Sequence, residues 1–138
     1  MDAKQLQRKL QVTIKSVPDI VTARQQGRHM ALQLGFSETE ATIIATVISE
    51  FARNIVIYAR AGEITLKHIN NSNREGIVLI AKDNGPGITD MERAMMGGYS
   101  TSGGLGLGLY GARHIVDEFD IKSDLGAGTT VMATKWLN

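Results

Sequence analysis

Residues 100–109 read STSGGLGLGL. Four glycines fall within six positions, flanked by hydroxyls and spaced by leucines. No other stretch restricts the fold as much, because this bare backbone runs at once into a helical pattern. Leu109, Ala112, Ile115, Val116 and Phe119 share one face of a helix expected over residues 105–119. A flexible linker rarely carries three regularly spaced leucines. A phosphate cradle suits the pattern, since the start of a helix offers free N–H groups and the positive end of its dipole. The rest of the chain must then supply a nucleotide site around it.

Spacing excludes two familiar phosphate loops. No G-x4-G-K-[S/T] occurs, and Lys82 precedes the glycines rather than following them. Gly106, Gly108 and Gly111 do satisfy G-x-G-x-x-G, but they follow a Ser/Thr-rich coil and not a strand of a βαβ unit. The 15 basic and 14 acidic residues give a net charge of +1 with no Lys/Arg run, which argues against a nucleic-acid binder. At 138 residues and 43% hydrophobic, the chain fits one domain, 1–138, with a single core. There is no cysteine, hence no disulfide framework and no thiolate metal site. His29, His68 and His114 lack ligand-like spacing and read as surface or boundary residues. The first ten residues lack the apolar core of a secretory signal, and no apolar run approaches a membrane span, so a cytoplasmic protein is expected.

Along the chain, residues 9–16 alternate as a half-buried strand. Pro18 and Asp19 open a helix, capped by Ser16 or Asp19, whose apolar positions run from Ile20 to Leu34 with Gly35 as its C-cap. Ser37 and Glu40 form a capping box that starts a second helix, running to about residue 59. EITLKHI and GIVLIAKDN read as strands of a hairpin with a long polar loop, NNSNRE. After the helix over 105–119, short strands are expected at about 120–124 and 129–136, separated by GAG. The order β-α-α-β-β-α-β-β gives an α+β sandwich, with helices on one face of a mixed, mostly antiparallel sheet.

The second helix carries a polar pair beside its apolar stripe. With Glu50 at zero on a helical wheel, Asn54 lies at about 40° and the stripe of Ile44, Ile48, Phe51 and Ile55 centres near ~130°. Glu50 and Asn54 therefore sit at the edge of the core, where burial without partners is costly. Spacing alone also fits a solvated rim, and Arg53 is placed to pair with Glu50 at i,i+3. Two further motifs matter. DNGPGI, residues 83–88, puts Asp83 where an apolar strand ends, with Gly85 and Gly87 allowing close backbone approach. GAGTT, residues 126–130, alone is a hairpin turn. Each motif has a bland reading. Their order is specific: E-x3-N, D-x-G-x-G, G-x-G-x-G, then G-x-G-T.

These residues resemble the GHKL nucleotide-binding (Bergerat, histidine-kinase-like ATPase) fold over about residues 8–137. SEFARNIVIYA, DNGPGI, GYSTSGGLGLGL, HIVDEF and the ending TKWLN are most similar to the small bacterial anti-sigma-type serine/threonine kinases, in particular the RsbT-type switch kinases of the stressosome pathway. The resemblance implies a protein kinase that uses ATP and Mg2+ and acts on STAS-domain proteins, with a downstream phosphatase or similar effector and with a homodimer left open. It implies Glu50 as the base for the substrate hydroxyl and Asn54 as a ligand of phosphate-bridging Mg2+. It implies that Asp83, aided by Thr129, receives the adenine amino group, with Gly85 and Gly87 beside the purine. It implies a phosphate loop of Gly104, Gly106 and Gly108, nucleotide contacts at Ser102 and Leu105, and an ATP lid over about 88–102. An anti-sigma-like protein that sequesters its partner, with ATP tuning its shape, is the alternative. The sequence departs from the switch kinases at Tyr110, where they are expected to carry Pro.

Overall fold

A computed structural model describes residues 8–59, 61–71, 73–85, 108–124 and 128–137. Strand β1 (Lys9–Ile14) precedes two helices, α1 (Val17–Leu34) and α2 (Glu38–Tyr58). Strands β2 (Gly62–Asn71) and β3 (Arg74–Asp83) form a hairpin. Helix α3 (Gly108–His114) then leads to β4 (Glu118–Asp124) and β5 (Gly128–Trp136). The sheet order is β1-β2-β3-β5-β4, and all four pairings are antiparallel. The element order is the expected one, and the expected mixed sheet is wholly antiparallel among the described strands.

Both long helices begin where their caps predict. Asp19, in the first turn of α1, accepts the backbone N–H groups of Lys15 and Ser16. Ser37 and Glu40 exchange the reciprocal bonds of a capping box at the head of α2. Helix α1 ends at Gly35, whose φ is 105°. The helices pack on each other and on one face of the sheet. Ile44, Val47, Ile48, Phe51 and Ile55 of α2 are buried against a core shared with Ile64, Leu66, Ile77, Leu79 and Val131. Each large apolar side chain so buried contributes about 1.5–3 kcal/mol. Helix α2 is long and apolar enough to cross a membrane by length and composition, contrary to the expectation that no run approaches a span. More than half of it is buried within the domain, as befits a core helix.

Period two along β3 places Ile77, Leu79 and Ala81 on the helix-facing side and brings Asp83 to the end of the same buried row. The other side carries exposed residues such as Lys67, Lys82 and Met132.

Three further expectations are corrected. His68, expected at the surface or boundary, is buried at 6% exposure, with its Nε2 3.0 Å from Glu75 Oε1. The β2–β3 hairpin has no long loop: the ladder continues to Asn71↔Arg74, leaving only residues 72 and 73 between the strands. Ladder bonds are made by backbone, so the strands outrun their apolar pattern into polar residues. The third helix stops at His114, not at 119, and β4 already begins at Glu118. Here the backbone N–H of Asp117 donates to Thr134 O at 2.9 Å, and β5 captures the chain. Phe119 reaches the core from a strand, meeting Phe51 edge to face with ring centroids 6.3 Å apart.

Candidate nucleotide site

Helix α2 is the arm that delivers the polar pair. Its apolar stripe is fixed against the sheet, so the neighbouring face points toward α3. Glu50 is buried at 5% exposure, which removes the solvated-rim reading for it, while Asn54 is half-buried one turn on. A carboxylate in this position needs partners. Oε1 accepts from Arg53 Nη1, and Oε2 accepts the backbone N–H of Gly108 at 2.6 Å. Gly108 is the first residue of α3 and has φ 54°. The acid of α2 thus meets the end of the glycine-rich stretch directly.

The second polar centre lies at the end of β3. Asp83, 7% exposed, accepts through Oδ1 from the backbone N–H groups of Gly85 at 2.9 Å and Thr129 at 3.2 Å. Both bonds fall on one oxygen, so Oδ2 takes part in neither. Thr129 is itself buried, and its hydroxyl lies 2.9 Å from that of Ser123. A Cβ on Gly85 would sit 2.6 Å from Ala59 Cβ, so the turn after Asp83 closes tightly on the end of α2. Asp83 also lines a cavity of about 500 Å³ at this end of the sheet, with Ala59, Gly62 and Asn84.

Of the residues the sequence singles out, the structure brings Glu50 to Gly108 and Asp83 to Gly85 and Thr129, and it keeps Asn54 beside Glu50 on α2. Gly87, Ser102, Gly104, Leu105, Gly106 and the lid over 88–102 lie outside the described residues. Sequence reasoning missed Gly128 and Ser123. Gly128 has φ 94°, and a Cβ there would come within 2.1 Å of the carbonyl oxygen of Asp83. The G-x-G-T motif flagged its turn, but not the approach of β5 to the end of β3. Nothing in the sequence distinguishes Ser123 from any strand serine. Tyr110 is partly exposed on α3 and stacks edge-on against His114, with ring centroids 4.5 Å apart.

A site for Mg2+ can be judged from the donors present. Among the described residues, no three His, Cys, Asp or Glu side chains are placed together to hold a metal. The half-buried amide of Asn54 offers one neutral oxygen. That fits a hard cation held chiefly by phosphates and water, and does not fit an all-protein cage.

Comparison with known proteins shows the family. The family model described as histidine kinase-, DNA gyrase B- and HSP90-like ATPase matches residues 39–138. The chain is 47% identical over 126 residues to the serine/threonine-protein kinase RsbT of Bacillus subtilis (strain 168), covering 91% of this chain and 95% of that one. It is 33% identical over 113 residues to the anti-sigma F factor of Thermoanaerobacter sp. (strain X514), covering 78% of each. Among solved structures, the RsbU and RsbW domains of Rv1364c from Mycobacterium tuberculosis match with a TM-score of 0.60 at 23% identity. That match covers 93% of this chain and 31% of the longer one, and it speaks for the fold alone. The chain belongs to the histidine kinase-, DNA gyrase B- and HSP90-like ATPase family, among relatives that include the serine/threonine-protein kinase RsbT and the anti-sigma F factors.

Proposed function

We propose that the protein is an ATP-dependent serine/threonine protein kinase of the cytoplasm. Its substrates are STAS-domain proteins of a stressosome-type switch, and on release it activates a downstream effector such as a phosphatase. The observation that carries this reading is the bond between Glu50 and Gly108 N–H, which holds a buried carboxylate at the end of the glycine-rich stretch. The 47% identity to a serine/threonine kinase supports the same reaction.

In this reading the substrate hydroxyl oxygen attacks the γ-phosphorus of ATP. The bond from that phosphorus to the β–γ bridging oxygen breaks, and ADP leaves with the electron pair. The hydroxyl proton passes to the Glu50 carboxylate. Asn54 offers its amide oxygen to Mg2+, which neutralises phosphate charge when bound. Asp83 Oδ2 accepts the adenine amino hydrogen beside Thr129, and the chain from Ser102 to Gly108 cradles the phosphates. Phosphoryl transfer needs little covalent work from the protein, so positioning and charge suffice.

The test is incubation with Mg-ATP labelled at the γ-phosphate and a STAS-domain protein, wild type beside Glu50→Gln. Label on serine or threonine with wild type alone supports the kinase and its base. Equal transfer by Glu50→Gln removes Glu50 from that role. A second reading, an ATP-tuned binding protein that sequesters its partner, is favoured by the similarity to anti-sigma F factors. It predicts nucleotide binding and stoichiometric partner capture with no transfer. Sedimentation of the nucleotide-bound protein decides whether it acts as a homodimer.

A further inference from the structure

Arg53 has no part in the proposal above, yet it holds the residue on which that proposal turns. It lies three residues after Glu50 on α2, and its Nη1 donates to Glu50 Oε1. The two side chains differ in environment: that of Glu50 is 4% exposed and that of Arg53 is 27% exposed. The arginine therefore reaches in from the rim to an acid that solvent barely touches. An exposed i,i+3 pair of this kind contributes little. This one has a sheltered acceptor.

The two partners of Glu50 differ in what they depend on. Gly108 N–H belongs to the head of α3, at the end of the stretch assigned to phosphate. Arg53 belongs to the same helix as Glu50, so its reach to the carboxylate is set within α2. A charged hydrogen bond from the planar guanidinium also fixes the direction of the carboxylate, which a solvated side chain would not.

We propose that Arg53 is a positioning residue for phosphoryl transfer, holding the Glu50 carboxylate in its reactive orientation from the next turn of the same helix. It acts through Glu50 and does not itself bind ATP. The inference rests on Glu50 being the base.

The experiment compares wild type, Arg53→Gln, Arg53→Lys, Glu50→Gln and the double variant Glu50→Gln/Arg53→Gln. Transfer of labelled γ-phosphate to a STAS-domain protein is followed at saturating ATP, and ATP affinity is measured separately by calorimetry. Arg53→Gln should lower kcat on the order of 10–100-fold, as small misplacements of reacting groups do. Its ATP affinity should stay within about twofold of wild type, and Arg53→Lys should recover part of the rate by restoring the charge. In the Glu50→Gln background the same change should alter the residual rate by less than about twofold, because a residue acting through another is silent without it.

Three results overturn the inference. One is an unchanged kcat in Arg53→Gln. Another is a loss of ATP affinity, which would make Arg53 a nucleotide contact or a folding residue. The third is the same fall in rate with and without Glu50. A Glu50→Gln protein as active as wild type, or a wild type with no transfer, overturns the underlying reading and this inference with it. An inactive Glu50→Gln beside a fully active Arg53→Gln sinks this inference alone.

Discussion

The backbone N–H of Thr129 donates to Asp83 Oδ1 at 3.2 Å, joining β5 to the end of β3 across 46 positions of chain. Gly85 N–H uses the same oxygen. Asp83 therefore has two separable tasks, one oxygen for the fold and one proposed for adenine. Asn keeps the first and changes the second, since its NH2 group donates where the adenine amino group also donates. Asp83→Asn should cost about 1 kcal/mol or less in urea unfolding, the range for one altered hydrogen bond. ATP affinity should fall by about 1–3 kcal/mol, roughly 5–150-fold. Calorimetric titration with ATP beside the unfolding curve checks both. Unchanged affinity would leave Asp83 with its structural task only.

Gly128 explains why β5 can come so close. Its φ of 94° is strained for any residue with a side chain, and a methyl there would meet Asp83 O at 2.1 Å. Both atoms of that clash are fixed in backbone, so rotamer changes cannot relieve it. Gly128→Ala should destabilise by about 2–4 kcal/mol, strain and overpacking together. A lowered urea midpoint with an unchanged slope would report this. A midpoint equal to wild type would mean that the β4–β5 turn refolds around the methyl.

The parts of this architecture legible in the sequence are those set by local chemistry. Ser37 and Glu40 announce α2 because a capping box needs only four consecutive residues. The place of Asp83 is legible because it follows directly on an apolar strand, whereas its burial comes from the sheet around it. The pair of Glu50 and Arg53 is visible at i,i+3. What could not be read depends on distant partners. The bond from Gly108 to Glu50 spans 58 positions, and only the packing of α3 on α2 creates it. Ile115, Val116 and Phe119 continue a helical period past the end of α3, whereas the bond from Asp117 to Thr134 that ends it belongs to the sheet. Polar side chains at the hairpin tip carry a loop's pattern while their backbones continue the ladder, so the turn is shorter than the pattern implies.

Gly27 of α1 packs against Ile48 of α2 and Leu66 of β2. It is buried in α1, and a Cβ there would lie 2.2 Å from Ile48 Cδ1 and 3.2 Å from Leu66 Cδ2. Two effects oppose each other on Gly27→Ala. Helix propensity favours alanine by about 1 kcal/mol. Forcing an extra methyl into a filled core costs about 1–3 kcal/mol. The overpacking term should win, giving a net loss of up to ~2 kcal/mol in chemical unfolding. A β-branched residue at the same position should lose more. Stabilisation by alanine would mean that the Ile48 terminus swings aside freely.

Asp19 supplies a pH-dependent cap. Its Oδ2 accepts the backbone N–H of Lys15 at 2.8 Å and that of Ser16 at 3.1 Å. The Lys15 bond, foremost, holds its carboxyl below the ordinary aspartate value, with the Ser16 backbone and hydroxyl and the Lys15 charge acting the same way against a smaller opposing effect of burial. A group whose pKa is depressed in the folded state binds its proton more readily when the chain unfolds. Its contribution is present above the unfolded value, near about 3.9, and is lost as pH falls through the folded value. Asp19→Asn should therefore melt at a lower temperature than wild type at pH 7. The two curves should converge once the pH is below both values. The carboxyl carbon of Asp19, followed by NMR, should titrate lower than in an unstructured peptide of the same sequence. A melting difference that persists undiminished in acid would assign the effect to side-chain packing at the start of α1 instead of to the charged cap.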